Sequence, residues 1–403
     1  MSEPIESDES VGLYVHVPFC ERVCPYCAFA VVAARPLEES REDRYVDALL
    51  RELEHCAPAF EGRRLVSLYL GGGTPSLLRP SSVARILAAA RARFDGGPSN
   101  GNASAEIEIT LEVNPSSLER ERLPAFRRVG VNRLSVGIQS FDDTLLRRLG
   151  RAHKAEEGRR TLETCRRAGF ENVSVDLLYA GPGSTPKRLQ SDIDELLAFA
   201  PEHVSTYELN IEPGTPFALA AARGQLALPH EEQAIEMAEI LEKGGLDRAG
   251  LARYELSSYA RPGFEAIHNR RYWERLPVLG LGVGAWSTTP RSGVAPHGGR
   301  RANLRELEAY LESVETSGSA PAEAEILDPP TARGEAMFLS LRRMAGLEAA
   351  RFAAEFGGPP RHFFAQVIDE LTKVGLMTEN RMGDLTLTVR GQLLSDSVFE
   401  RFV

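Results

Sequence analysis

Between Val11 and Ile211 the chain alternates short β-rich runs with longer amphipathic stretches, and no other feature limits its fold as strongly. The runs "GLYVHV", "LVSLYLG", "EIEITLEV", "RLSVGI", "NVSVDLLY" and "HVSTYELNI" predict six strands. Between them, "REDRYVDALLRELEHC", "SSVARILAAARARF" and "AEEGRRTLETCRRAGF" place apolar residues at helical spacing. Such alternation predicts repeated βα units around a parallel sheet. Six units form an open doubly wound sheet or an incomplete barrel, and periodicity alone leaves both open.

Residues 11–218 hold this βα region. Residues 219–318 open with the helix "PHEEQAIEMAEILEKGGL" and continue through an irregular Gly- and Pro-rich stretch. "SVETSGSAPAEAEILDPPTARG", with little periodicity, reads as a linker. Residues 319–403 then predict the helices "EAMFLSLRRM" and "PRHFFAQVIDELTKVG", a hairpin "LMTENRMGDLTLT" and a last helix, a module like a winged helix. Such modules often bind DNA, but an acidic setting favours a structural or lid role.

At 403 residues the chain can bury a large core, which makes a multi-domain enzyme the default class. Its net charge of -10 argues against a nucleic-acid partner, and the arginine-rich "FRRVGVNR" and "LLRRLGRAH" are read as solvated helix faces. Residues 1–10, "MSEPIESDES", are acidic and expected to be disordered, and they lack the pattern of a secretory signal. No apolar run reaches the ~18 residues that span a bilayer. The expectation is a cytoplasmic protein without a membrane span, touching membranes only at its surface.

Three of the five cysteines fall within "HVPFCERVCPYCAFA", directly after the first strand. In a reducing compartment an odd, clustered set disfavours disulfides and suits a metal centre. Zinc in a structural site wants a fourth protein ligand, and no nearby Cys or His pair supplies it. Cys20, Cys24 and Cys27 can instead hold three irons of a [4Fe-4S] cluster, leaving one iron open. Cys56 and Cys165 lie in apolar helix patterns and are expected to be buried.

Other polar residues fall where a parallel barrel puts its site, at the carboxyl ends of strands. "GGGTPS" at Gly71 follows the second strand, Glu112 ends the third, Gln139 follows the fourth and Asp176 lies late in the fifth. Singly, Glu112 and Asp176 read as strand-end caps or ion-pair partners, Arg151 as a surface arginine and the glycines as a tight turn. Together with the cysteine loop they suit a bound ligand, because glycines let backbone approach it closely.

The Cys-x3-Cys-x2-Cys loop after a first strand resembles the radical S-adenosylmethionine (SAM) superfamily. That resemblance implies an incomplete (β/α) barrel, with SAM chelating the open iron, receiving one electron and cleaving to methionine and a 5'-deoxyadenosyl radical. It narrows to the branch of oxygen-independent coproporphyrinogen oxidases and HemW-type heme chaperones, through "LGGGTPSLL", "LEVNPSSL", "NRLSVGIQSF", "VDLLYAGPGST", "IEPGTPF", "HNRRYW" and "GDLTLTVRGQLLSDSVF". The resemblance implies that Tyr14, Gly72, Gly73, Thr74, Glu112, Gln139, Arg151 and Asp176 contact SAM, and that Tyr26 packs beside it.

Two features separate this chain from the oxidases, which carry a further cysteine where Phe29 stands and a longer segment before the first strand. "HNRRYW" matches the HNxxYW motif of the heme chaperones and implies a heme site of His268, Asn269, Tyr272 and Trp273. On a helix, His268 and Tyr272 share one face, as do Asn269 and Trp273. The plain alternative is a helix whose aromatics pack on the barrel and whose histidine is hydrogen-bonded. Ala28 and Val283 depart from the chaperones' usual Asp and Pro. The resemblance further implies delivery of heme to respiratory hemoproteins, with a one-electron reductant protein as partner and radical chemistry subordinate. Coproporphyrinogen decarboxylation and a non-catalytic metal scaffold are the alternatives.

Overall fold

The computed structural model describes residues 9–94, 107–243 and 245–403. All six expected strands are present, and each alternates apolar residues with polar or small ones. The chain begins with β1 (Ser10–Val17), a two-residue pair β2 (Phe19–Cys20) and β3 (Val32–Ala33) that brackets the cysteine loop, and α1 (Glu39–Cys56). β4 (Arg64–Gly72), α2 (Pro80–Phe94), β5 (Glu108–Val113), α3 (Ser117–Val129), β6 (Arg133–Gln139), α4 (Asp143–Arg148), α5 (Ala155–Arg167), β7 (Val173–Tyr179), α6 (Pro186–Ala198) and β8 (His203–Glu208) follow. Strands β1, β4, β5, β6, β7 and β8 pair in parallel, in chain order. Helices follow the strands, so the periodicity left two architectures open and the incomplete barrel is the one formed.

The alternation decides which way each side chain faces. Leu13, Val15, Leu68, Leu70, Ile109, Leu111, Leu134, Val136, Val175 and Val204 are buried in one core with helix residues such as Tyr45, Leu49, Val83, Ile86, Leu123, Phe126, Leu162 and Leu196. The other strand face carries Tyr14, Tyr69, Glu112, Ser135, Asp176 and His203, which meet across the lumen. Local chemistry sets the helix starts: Ser116 accepts from Glu119 N, Asp142 from Thr144 N and Leu145 N, and Thr185 from Arg188 N ahead of Pro186. Cys56 and Cys165 are buried, as the apolar patterns predicted.

Beyond β8 come α7 (Pro216–Ala222), α8 (Glu231–Lys243), β9 (Ala252–Glu255), β10 (Ser258–Ala260), α9 (Ile267–Trp273), β11 (Val278–Leu281), β12 (Trp286–Thr289), β13 (Gly299–Asn303), α10 (Leu307–Ser317) and β14 (Pro321–Ile326). The sheet has twelve strands in the order β14-β13-β12-β11-β1-β4-β5-β6-β7-β8-β10-β9. β10 and β9 extend it antiparallel beyond β8, whereas β11 adds parallel to β1 on the far side. Between β10 and β11 the chain therefore passes from one side of the half-barrel to the other, and α9 makes the crossing.

Three expectations need correction. The expected linker is the end of α10, the edge strand β14 and the start of α11 (Pro329–Leu341); β14 pairs antiparallel with β13 from Gly299↔Ile326 to Asn303↔Pro321. Every residue of β14 is exposed, so its weak hydrophobic signal is that of an edge, and Pro is tolerated at its first position. Of the arginine-rich runs, Arg127, Arg128, Arg147 and Arg148 are exposed, but Arg133 is only 2% exposed and Arg151 enters the barrel mouth. Residues 1–8 of the acidic start lie outside the described residues, and Ser10 already belongs to β1.

The C-terminal part has its own core, with Met337, Leu341, Phe352, Ile368, Leu371, Leu385 and Phe402, formed by α11, α12 (Ala349–Phe356), α13 (Pro360–Lys373), the hairpin β15 (Met377–Glu379) and β16 (Leu385–Leu387), α14 (Val389–Leu393) and α15 (Ser395–Phe399). Buried ion pairs tie it to the segment after α9. Arg275 Nε lies 3.1 Å from Glu335, and Arg343 Nη1 lies 3.1 Å from Glu274. Among the described residues, no helix is long and apolar enough to cross a membrane.

Candidate cluster loop and barrel mouth

The cysteine loop is anchored at both ends by backbone pairing, since β2 pairs with β3 in parallel and Thr74 N donates to Phe19 O at 2.8 Å. All three thiols are half-buried. Burial pushes the Cys20 thiol up to about 12 and raises that of Cys27. Thr74 Oγ1 donates to Cys20 Sγ at 3.8 Å and accepts from Asn114 Nδ2 at 2.7 Å. Arg151 completes the ring: Nη1 donates to Cys24 Sγ at 3.7 Å and Nη2 to Gly137 O at 2.9 Å and to Asn114 Oδ1. Arg151 Nε is buried without a hydrogen-bond partner among the described residues. That leaves a donor for a carboxylate.

The glycines are needed here for space. A Cβ on Gly73 would lie 2.8 Å from the carbonyl oxygens of both Phe19 and Val17 and 3.0 Å from Cys20 Sγ. Gly72 has φ +104°, and a Cβ there would strike the His16 ring at 2.5 Å. Its N–H points inward instead, donating to Glu112 Oε2 at 3.1 Å.

Glu112 is the hub of the mouth. Tyr69 OH donates to its Oε1 at 2.9 Å. Burial raises its carboxyl to about 7; the Tyr69 and Gly72 hydrogen bonds oppose this, and nearby Asp176 adds to it. Burial likewise raises Asp176, against hydrogen bonds from Ser135 (3.0 Å), Ser205 and Ser174. Two neighbouring buried carboxyls suit a cationic ligand, with Arg133 already offsetting part of the burial of Asp176.

The structure thus brings Cys20, Cys24, Gly72, Gly73, Thr74, Glu112, Arg151 and Asp176 together around one mouth. Tyr26 joins through side-chain interactions with Arg151 and Cys24, and its ring lies 6.1 Å from that of Phe217. Gln139 ends β6 with φ 65°, a left-handed conformation rare for its type, close to Gly137 in the same mouth. Tyr14 donates or accepts with His16 Nδ1 at 3.1 Å and stacks on Tyr69 at 6.2 Å between centroids. Sequence reading missed Tyr69, Asn114 and Ser135. Their signal was the period-2 alternation, which sets Tyr69 on the same strand face as Gly71 and Ser135 beside Asp176.

The four residues expected at heme lie elsewhere, on α9 at the other end of the lumen. His268 is 1% exposed, with Nδ1 3.0 Å from Ser67 Oγ and Nε2 3.2 Å from Tyr272 OH. Burial lowers its basicity to about 3, so the ring is neutral. Its ring stacks on Tyr69 at 5.2 Å and Tyr14 at 6.1 Å. Tyr272 is half-buried beside it, and Asn269 is likewise half-buried. Trp273 lies under the Arg342 guanidinium, 4.5 Å from the ring centre, with Nε1 unpartnered among the described residues. At the two departures from the chaperone pattern, Ala28 O accepts from Arg305, and Val283 N donates to Tyr45 OH at 3.2 Å. A proline could not make the second bond.

Comparison with known proteins agrees with this architecture. The Radical SAM superfamily model matches residues 14–196 and the HemN C-terminal domain model residues 327–394. The chain is 33% identical to heme chaperone HemW of Bacillus subtilis over 392 residues, covering 97% of this chain and 98% of that one. Its identity to heme chaperone HemW of Escherichia coli is 35% over 277 residues, covering 68% and 69%. Among solved structures, coproporphyrinogen III oxidase (HemN) of Escherichia coli, a radical SAM enzyme, superposes with a TM-score of 0.80 at 26% identity, covering 98% of this chain and 90% of that one. From its barrel to its C-terminal module, this chain belongs to the HemW heme chaperone family of the radical SAM superfamily.

Proposed function

We propose that this protein is a cytoplasmic heme chaperone that holds a [4Fe-4S] cluster and SAM in the barrel mouth and carries heme to respiratory hemoproteins. The cysteine loop carries this reading. Cys20, Cys24 and Cys27 put three half-buried thiols on one short loop bracketed by β2 and β3. Three thiolates suit three irons of a four-iron cluster, each taking its own iron. Structural zinc asks for a fourth protein ligand.

When bound, the cluster supplies one electron to the sulfonium of SAM. The protein's part is binding and orientation. Arg151 would offer Nε, unpartnered among the described residues, to the SAM carboxylate, while Glu112 and Asp176 would face its cationic end or ribose hydroxyls. Gly72 and Gly73 let backbone come close, Tyr14, Thr74 and Gln139 border the ligand, and Tyr26 packs over the loop. Heme is cargo rather than resident cofactor. Its partners are client hemoproteins and a one-electron reductant protein, with no nucleic acid.

The test is anaerobic reconstitution with iron and sulfide, followed by absorption and low-temperature spin spectra, SAM titration and heme titration. A reducible cluster perturbed by SAM, together with tight heme binding, is the expected result. Zinc without iron would leave a metal scaffold, and decarboxylation of coproporphyrinogen III under the same conditions would make the chain an oxidase. The 0.80 superposition on the oxidase favours that second reading, whereas Phe29, 68% exposed where the oxidases carry cysteine, opposes it.

A further inference from the structure

We infer that His268 is a positioning residue of the barrel floor, clamped between Ser67 and Tyr272 so that it steadies Tyr69 and, through it, the Glu112 carboxylate, and that it is not an axial ligand to heme iron. The inference rests on the reading of the mouth as the SAM site, and it separates the "HNRRYW" helix from iron ligation.

The first ground is the path of the chain. α9 is the crossover beneath the half-barrel, and three strands fasten it there. Glu108 on β5 caps its start, accepting from Ile267 N at 3.1 Å and His268 N at 3.0 Å. Arg271 is fully buried and donates to Ser10 O at 2.8 Å, Ser10 Oγ at 2.9 Å and Pro277 O at 2.9 Å. Gly12 makes room for that side chain, because a Cβ there would meet Arg271 Cδ at 2.8 Å. Ser67 on β4 takes the imidazole. Heme iron needs an open lone pair on an accessible face, and this ring offers neither.

The second ground is that the floor repeats the arrangement. His203 on β8 is buried, with Nδ1 2.8 Å from Ser174 Oγ and Nε2 2.9 Å from Tyr254 OH. Ser174 in turn reaches Asp176 Oδ1 at 3.4 Å. Each histidine thus sits between a strand serine and a tyrosine, below one of the two carboxyls of the mouth. A neutral imidazole has one donor and one acceptor, and two hydroxyls consume both. His203 lies outside any heme motif, so the shared pattern marks what this barrel does with a floor histidine.

The third ground is contact. The His268 ring stacks on Tyr69, whose hydroxyl holds Glu112 Oε1. A ring lost from the floor frees Tyr69 to tilt away from the carboxylate.

The experiment compares wild type, His268→Asn, Tyr69→Phe and the double variant, each reconstituted anaerobically and matched for iron content. SAM affinity is measured by calorimetry across pH 6 to 8, and heme binding by Soret titration and axial-ligand spectra. Each single variant is expected to weaken SAM about fivefold, the worth of one hydrogen bond. Because the Tyr69 bond holds the Glu112 value down, each should also move the midpoint of the pH dependence upward. The double variant should be no weaker than the weaker single, because both act through one contact. Heme affinity and ligation should stay as in wild type. Loss of heme ligation in His268→Asn would overturn the inference, as would unchanged SAM affinity, independent additive effects or an unmoved midpoint. Ser67→Ala, which removes one hydroxyl and keeps the ring, takes its place if His268→Asn fails to fold. Wild type that binds no SAM would sink both the reading of the mouth and the positioning role, whereas wild type that binds it no better than the variants sinks the positioning role alone.

Discussion

Lowering the pH from 8 to 6 should weaken SAM binding about tenfold through Glu112 alone. Burial, with Asp176 adding to it, holds this carboxyl at about 7 in the empty mouth. A cationic ligand pairs with the ionised form, so binding must first remove a proton wherever the pH lies below that value. The apparent dissociation constant then grows as one plus the ratio of protonated to ionised carboxyl, which is about 1.1 at pH 8, about 2 at pH 7 and about 11 at pH 6. The sign is fixed: affinity rises with pH and levels off above about 7. The ligand's own amino group titrates between about 7.7 and 8.0 and pushes in the same direction. Its share cancels in the ratio of wild type to Glu112→Gln, a variant that stays neutral throughout. Calorimetric titration of both cluster-loaded proteins at pH 6, 7 and 8 should give a ratio that favours wild type increasingly as the pH rises. Parallel profiles would refute the reasoning, because they would mean that Glu112 does not face the cation or is already ionised at pH 6.

The five cysteines should divide cleanly: Cys20→Ala, Cys24→Ala and Cys27→Ala lose bound iron after reconstitution, while Cys56→Ala and Cys165→Ala keep it, as iron and sulfide assays would show. Gly73→Ala should cost the chain about 1–3 kcal/mol, since backbone oxygens 2.8 Å away on two sides cannot yield, and it should lower iron uptake. Glu52→Ala should be the more damaging change, at about 3–5 kcal/mol by urea unfolding with an unchanged m value. That carboxylate, fully buried in α1, accepts from Asn303 Nδ2 at 2.6 Å, Tyr310 OH at 2.7 Å, Gly282 N at 2.8 Å and Arg301 Nη2 at 3.2 Å, and so ties β11, β13 and α10 to the barrel.

The βα core was legible because its signals are local. Six strands and their helices repeat within windows of ten to twenty residues, and capping residues mark several starts. β14 was not legible, because an exposed edge strand buries nothing and the alternation in "PAEAEI" rests on two alanines and one isoleucine, too small an apolar face to stand out. The inward arginines were hidden for a related reason. Arg133 donates to Asn172 Oδ1 at 2.7 Å and to Phe264 O at 3.4 Å, partners 39 and 131 residues away, and no window over "FRRVGVNR" contains them.

The same distinction separates the two halves of the candidate site. At the mouth, chemistry follows position along a strand: a residue near the carboxyl end and facing inward belongs to the mouth, so Glu112, Asp176 and the glycines could be placed from spacing. α9 obeys no such rule, because its place depends on a crossing between sheet edges that appears only once β11 is known to pair with β1. His268 meets Ser67 across 201 residues and Glu108 across 160. A motif such as "HNRRYW" therefore shows which side chains share a helix face but not what that face meets. Here the face meets strand hydroxyls and tyrosine rings, which consume the imidazole before iron could reach it.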